Sequence, residues 1–322
     1  MQDIWIPIEE SRKDKEGHEA ITILESLLAD GHTPYSAFLD HVRSRGNVAD
    51  VGAYSALSAL HYLNSGEQVF ALTPWQQQIF TLTDLPKGDV DIQYPYPGFF
   101  VALPERTEML WGGTRTGWHR LCGAYVVQDP LTKGIAVVCV GRPTKNSRSV
   151  LDDAALYFHI APKYFNDLEG WLKTLPTKPL HYAQEIDSAN REAERKNRNH
   201  VMAEIARLVL NFLVYLTTPN PDVALSTWFN ERRRYLKKRG KKGRRELDSL
   251  PTTPIRVVGS TIQRTATARL RETQDLTLHW VRGHYRRYRV GPGRTRVELR
   301  FVSPHLRGTV PGEDSPRIYE VK

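Results

Sequence analysis

LCGAYVVQDPLTKGIAVVCVG, Leu121 to Gly141, decides how this chain of 322 residues is to be folded. Its two halves are rich in β-branched and aromatic residues, and the DPLTKG between them carries the proline and glycine of a hairpin loop. Two such runs so closely joined pair antiparallel. IQYPYPGFFVALP (Ile92 to Pro104) and LYFHIA (Leu156 to Ala161) are of the same kind and are set off by turn residues, so residues 92–160 read as a mostly antiparallel sheet. Trp111, Trp118 and Tyr125 belong to its core or its faces rather than to a platform for bases. Cys122 and Cys139 lie on two consecutive strands and match no metal-ligand spacing, which fits a reducing compartment, although proximity could still pair them.

Helices flank the sheet on both sides in sequence. From His18 to Arg45 apolar residues recur at helical spacing, with Gly31 and Pro34 dividing the run in two, and Ala53 to Leu63 forms a third helix. Beyond the sheet a long helix runs from about Glu185 to Leu216. Its stripe is Val201, Ile205, Leu208, Val209, Phe212, Leu213 and Leu216, and its charged first half is expected in solvent. The fold class is therefore α+β: N-terminal helices, a central mostly antiparallel sheet, a long amphipathic helix and a basic, strand-rich C-terminal part. Residues 1–225 form the body, with helices at 18–65, the sheet at 92–160 and the long helix at 185–216. Residues 226–250 are a basic helix end passing into a flexible linker, because Gly240 and Gly243 disfavour helix beyond Arg239. Residues 251–322 are the basic β-rich region.

Charge divides the chain more sharply than composition does. Formal charge is −4 over residues 1–150, −2 over 151–230 and +15 over 231–322. A polyanion partner for the last third follows from that asymmetry. RRRYLKKRGKKGRR (Arg232 to Arg245) holds ten basic residues and no acid, and HWVRGHYRRYRVGPGRTRVELRFVSPHLRG ends the basic part with arginines set among aromatic rings. Arginine meets phosphate through paired hydrogen bonds and aromatic faces meet bases. The residues expected to contact nucleic acid are Arg282, His284, Tyr285, Arg286, Arg287, Tyr288, Arg289, Arg294 and Arg296, with Lys237, Lys238, Arg239, Lys241 and Lys242 from the charge run.

Other chemistries fit less well. The longest apolar stretch, Ile205 to Leu216, is too short for a bilayer, and the polar N-terminus has no secretory character, so the expected location is the bacterial cytoplasm with no membrane partner. His279, His284 and His305 stand in a field of arginines that opposes a cation, so neither a metal nor a cofactor is expected. The GPGR at Gly291 to Arg294 joins two strand-like runs and reads as a tight β-turn, not a phosphate cradle. The acids of the last third are scattered, with no acid, acid, x, lysine arrangement to hold magnesium. No residue is assigned as catalytic. A metal-independent endoribonuclease with His284 as its acid or base is the enzymatic alternative, limited by strand alternation: His284, Arg286 and Tyr288 can share a face, or Tyr285 and Arg287.

The same C-terminal block resembles a known family, the type V-A anti-CRISPR proteins of variant two and their plasmid and phage relatives. The resemblance rests on Arg282, Gly283, His284 and Tyr285, then Gly291 and Gly293, then Arg296 to Phe301 and Pro304. NFLVYLTTPNPDV (Asn211 to Val223) and YPYPGFFVALP are similar to the family more loosely. The resemblance implies a protein that lowers a type V-A CRISPR nuclease by recognising its nascent polypeptide and triggering loss of the translated messenger RNA. It would have RNA or the ribosome and a nascent host polypeptide as partners and would not itself be an enzyme. A nucleic-acid-binding accessory protein of a plasmid or phage is the alternative outside that family.

Overall fold

The computed structural model describes residues 6–13, 15–31, 33–34, 51–88, 92–104, 110–114, 117–130, 132–141, 155–175, 188–250, 253–261, 279–281, 283–302 and 305–307. The second of the helices expected between His18 and Arg45 lies outside them.

The architecture is α+β, with a mostly antiparallel sheet between two layers of helix. The sheet contains β1 (Val69–Leu72), β2 (Gly98–Ala102), β3 (Leu110–Thr114), β4 (Gly117–Gln128), β5 (Ile135–Gly141), β6 (Ala155–Ile160), β7 (Val223–Leu225) and β8 (Ile255–Val258). The order is β6-β5-β4-β2-β1-β8-β7, with β3 paired to β4 off this path. β4 and β5 form the expected hairpin around DPLTKG. Asp129 closes the loop, its carboxylate accepting from Thr132 Oγ1 at 2.7 Å and its carbonyl from the Lys133 N–H at 2.9 Å.

Two pairings are parallel, β1 with β2 and β1 with β8, and the sequence reading does not anticipate them. Both β1 and β8 are four residues long and covered on both faces. β1 is buried at every position and β8 carries a single polar residue, Arg256, so neither is long enough to show the polar alternation that marks a strand with a wet side. β8 also places residues 255–258, on the C-terminal side of the expected linker, inside the main sheet.

Alternation along the strands builds two cores. Phe70, Leu72, Phe99, Val101, Val137 and Phe158 pack with helices α4 (Pro74–Leu82), α5 (Leu168–Leu172) and α6 (Ser188–Leu216). Val69, Ala71, Phe100, Ala102, Tyr125 and Val138 pack with α1 (Pro7–Ser11), α2 (Lys15–Ala29) and α3 (Val51–Asn64). Tyr125 is thus a core residue, while Trp111 and Trp118 lie among residues whose side chains are not described. A register shift between Leu121 and Gly123 lets Cys122 face the second core while Cys139 faces the first, so the two thiols form no disulfide and lie on opposite sides of the sheet.

α6 is the beam of the first core. Phe212 stands against Phe70, Phe80 and Phe99 with ring centroids 5.2, 6.2 and 5.9 Å away. The helix is buried all the way from Leu208 to Tyr215, wider than the stripe read from sequence. Its charged half also differs from expectation at Arg198, which is 4% exposed rather than projecting into solvent.

Candidate nucleic-acid interface

The basic C-terminal run forms a two-stranded ribbon, β10 (His284–Val290) against β11 (Arg296–Val302), with a smaller pair of β9 (His279–Val281) and β12 (His305–Arg307). GPGR makes the expected tight turn. Gly291, Gly293 and Arg294 take φ of 83°, 66° and 54°, and the left-handed region costs glycine nothing. Seven cross-strand pairs, from His284 opposite Val302 to Val290 opposite Arg296, set the register.

That register gives the ribbon two different faces. On the underside Tyr285 pairs with Phe301, their rings 5.2 Å apart, and Phe301 meets Tyr215 of α6 edge-on at 5.3 Å. The Tyr285 hydroxyl donates to the Asn211 carbonyl at 2.7 Å, and burial raises its pKa well above the usual phenol value. Arg287 leans the same way and donates to the Lys87 carbonyl at 2.6 Å. Tyr285, expected among the nucleic-acid contacts, is therefore an anchor: its ring and hydroxyl are spent on the body.

The upper face carries His284, Arg286 and Tyr288 from β10 and Arg296, Glu298 and Arg300 from β11. Two guanidinium groups of one cross-strand pair, Arg286 at 5.3 Å and Arg300 at 5.5 Å from the Tyr288 centroid, are within the range of cation–π attraction. Glu298 accepts from Arg300 at 3.3 Å, and the Arg300 Nε is buried without a hydrogen-bond partner. Arg286 is exposed and Arg300 half-buried, so this end of the face offers guanidinium N–H donors to an acceptor. Arg286, Arg289, Arg294 and Arg296 are exposed. Arg282 lies outside the described residues.

The second basic stretch is also ordered. Beyond Arg239 the chain forms a helix, not a flexible loop: α7 (Trp228–Lys238) is followed at once by α8 (Lys241–Ser249). The two glycines that argued for flexibility build the corner. Gly240 takes φ 57° and ψ −133°, a conformation open to glycine alone, and a Cβ on Gly243 would stand 2.4 Å from the Leu236 carbonyl oxygen. Leu236 is fully buried at this corner while Lys237, Lys238, Arg239, Lys241 and Lys242 are exposed. Tyr235 repeats the ribbon's device, flanked by Arg232 at 5.1 Å and Arg239 at 5.8 Å.

His284 has the position a ribonuclease reading requires, exposed on the upper face beside Arg286. The carboxylate of that face, Glu298, stands opposite Tyr288, four residues and about 13 Å along the ribbon from His284. The Glu298 carboxylate is engaged by Arg300 at 3.3 Å. Among the described residues there is no group of three or more His, Cys, Asp and Glu arranged to hold a metal, and no helix long and apolar enough to cross a membrane.

Sequence reasoning missed the residue that seats the ribbon. Asn211 binds the end of α4 through Nδ2, 2.8 Å from both the Phe80 and Thr83 carbonyls, while its own carbonyl receives Tyr285. The available signal was an amide in an otherwise apolar helix, where a polar group persists when it has partners.

A sandwich of helices about a mixed sheet, bearing an arginine-rich ribbon on its longest helix, is the class these observations define. The family model of AcrVA2-like proteins, anti-CRISPR type V subtype A2, matches residues 77–306, from α4 through β12. The chain belongs to this anti-CRISPR family. A crystal structure of AcrVA2 is similar across 94% of this chain and 96% of its own, at 13% identity and a TM-score of 0.44. No curated protein sequence matches.

Proposed function

We propose that this chain, carried on a phage or plasmid, lowers a host protein by recognising its nascent polypeptide and causing loss of the messenger RNA being translated. The target would be the type V-A CRISPR nuclease or another host protein, and the ribbon and the α7–α8 corner would hold RNA or the ribosome. Family membership supports the anti-CRISPR role. The observation that supports RNA contact is the two-faced ribbon, whose underside is spent on α6 and whose upper face gathers Arg286, Arg296 and Arg300. Arginines meet phosphate oxygens regardless of the base attached, so this surface suits the phosphate backbone and would bind without much regard for sequence.

Affinity for a single-stranded RNA oligonucleotide should fall with salt at a log-log slope of about −0.7 per phosphate contact. The double variant Arg286→Gln/Arg300→Gln should flatten that slope by one to two contacts, and a slope equal to wild type would remove the ribbon from RNA binding. In cells, expression beside a panel of host messages should deplete one of them only while it is translated. Equal loss of an untranslated copy would overturn nascent-polypeptide recognition. His284→Ala should leave depletion intact, since a chain that binds RNA without cutting it needs no acid or base at that position; loss of depletion with unchanged RNA affinity would instead favour the ribonuclease.

A further inference from the structure

The edge of the main sheet furthest from β6 carries features that the ribbon does not use. Among the described residues β7 is paired to β8 alone. The Gly259 N–H donates to the Asp222 carbonyl at 2.9 Å and the Ser226 N–H to the Ile255 carbonyl at 2.8 Å, which sets the phase of the ladder. Residues 222 and 226, and Ala224 between them, address β8, so the main-chain groups of Val223 and Leu225 turn to the outer side. The Val223 N–H folds back on the Pro221 carbonyl at 2.8 Å. The Val223 carbonyl and both polar groups of Leu225 remain directed outward. Ala224 and Leu225 are exposed, Leu225 by 57%, and Val-Ala-Leu has none of the charged or proline residues that blunt an edge strand.

Beside this edge lies a cleft of about 150 Å³, formed by Leu225 and Ser226, by Asn230 and Arg233 of α7, and by Thr253 and Ile255 at the start of β8. It has room for one side chain. Arg233 is the charged residue of its lining, with one Nη buried and without a hydrogen-bond partner and the other 3.4 Å from Asn230 Oδ1, long for such a bond. The carboxylates behind the cleft are committed: Glu9 accepts from Thr253 N and Oγ1 at 2.8 and 2.6 Å, and Glu67 from Arg12 at 2.8 Å. The guanidinium is thus the charge the cleft offers.

We propose that an extended peptide adds outside β7 and places an acidic side chain in this cleft, against Arg233. Main-chain hydrogen bonds to Val223 and Leu225 would give affinity, and alternation along the added strand would carry every second side chain toward the cleft side. The site stands on the edge and the cleft; that its natural ligand is a nascent chain rests on the function proposed above.

The test uses the full chain and two fluorescein-labelled peptides of about eight residues that alternate threonine and valine, one with a central glutamate and one with glutamine there. Anisotropy is read at about 0.3 M salt, where the exposed arginines are screened. The glutamate peptide should bind about tenfold more tightly than the glutamine peptide, as a charge-assisted pair allows. Arg233→Gln should erase that preference. Leu225→Pro removes an outward N–H without touching the β8 ladder and should weaken both peptides about tenfold. Equal affinity of the two peptides for wild type, or a preference that survives Arg233→Gln, overturns the proposal, and these arms hold even if Leu225→Pro does not fold. A dimer in sedimentation that Leu225→Pro dissociates also overturns it, because a second copy then occupies the edge. Message depletion that persists in variants no longer binding peptide would detach this site from the proposed function and leave that function standing. Peptide binding as expected, with depletion independent of translation, would do the reverse.

Discussion

Asn211 is the residue through which the most structure passes. Its side chain holds two carbonyls at the end of α4 and its main chain receives Tyr285. Asn211→Ala strands both carbonyls in a buried setting, and each costs about 1–3 kcal/mol, so a loss of roughly 2–6 kcal/mol is expected in urea unfolding. Tyr285→Phe keeps the ring against Phe301 and removes only the hydroxyl, which should cost about 1 kcal/mol. If Tyr285 touched RNA instead of α6, that variant would change affinity and leave stability alone. Sequence spacing put Tyr285 and Arg287 on one face of a strand, as found. It did not say which face meets solvent, because alternation defines two sides without orienting them.

At the scale of elements, α7 and α8 show how one residue type supports opposite readings. Glycine weakens a helix, and from sequence Gly240 and Gly243 mark a flexible linker. Glycine also permits a sharp corner, and here Gly240 turns the chain while Gly243 lets α8 approach Leu236. Only the packing of Leu236 into that corner distinguishes the two, and it comes from tertiary contact. Gly243→Ala should therefore destabilise by several times the few tenths of a kcal/mol expected of a surface change, by roughly 1–3 kcal/mol. A flexible linker would gain slightly from the same substitution through its unfolded state, so the sign of the shift in urea midpoint decides. The β4–β5 hairpin was legible because its loop chemistry is local. β1 and β8 were not, since strands of four residues are too short to show a pattern of their own.

For the whole molecule, burial of phenols predicts a one-sided response to pH. Tyr62, Tyr125 and Tyr285 have pKa values raised by burial, and Tyr215 is pushed up to about 12 from 10.0. In the unfolded chain these groups lose their protons near pH 10 while the fold retains them, so the native state holds more protons above that point. Their contribution is fully present below about pH 10 and is lost as pH rises toward the folded values. Urea midpoints should be flat between about pH 8 and 9 and fall above about 10, less steeply in Tyr285→Phe. A midpoint unchanged through pH 11 would mean these phenols are solvated. By itself the sequence determined the α+β class, the hairpin at its centre, the basic end and the resemblance that family membership bears out, because loop chemistry, local periodicity and net charge are properties of neighbouring residues. Tertiary structure alone decided that β8 enters the sheet beside β1, that α6 is covered by the ribbon, and that Tyr285 is an anchor while Tyr288 faces outward. These depend on which apolar surfaces meet across long stretches of chain, and burial on that scale leaves no mark within a single element.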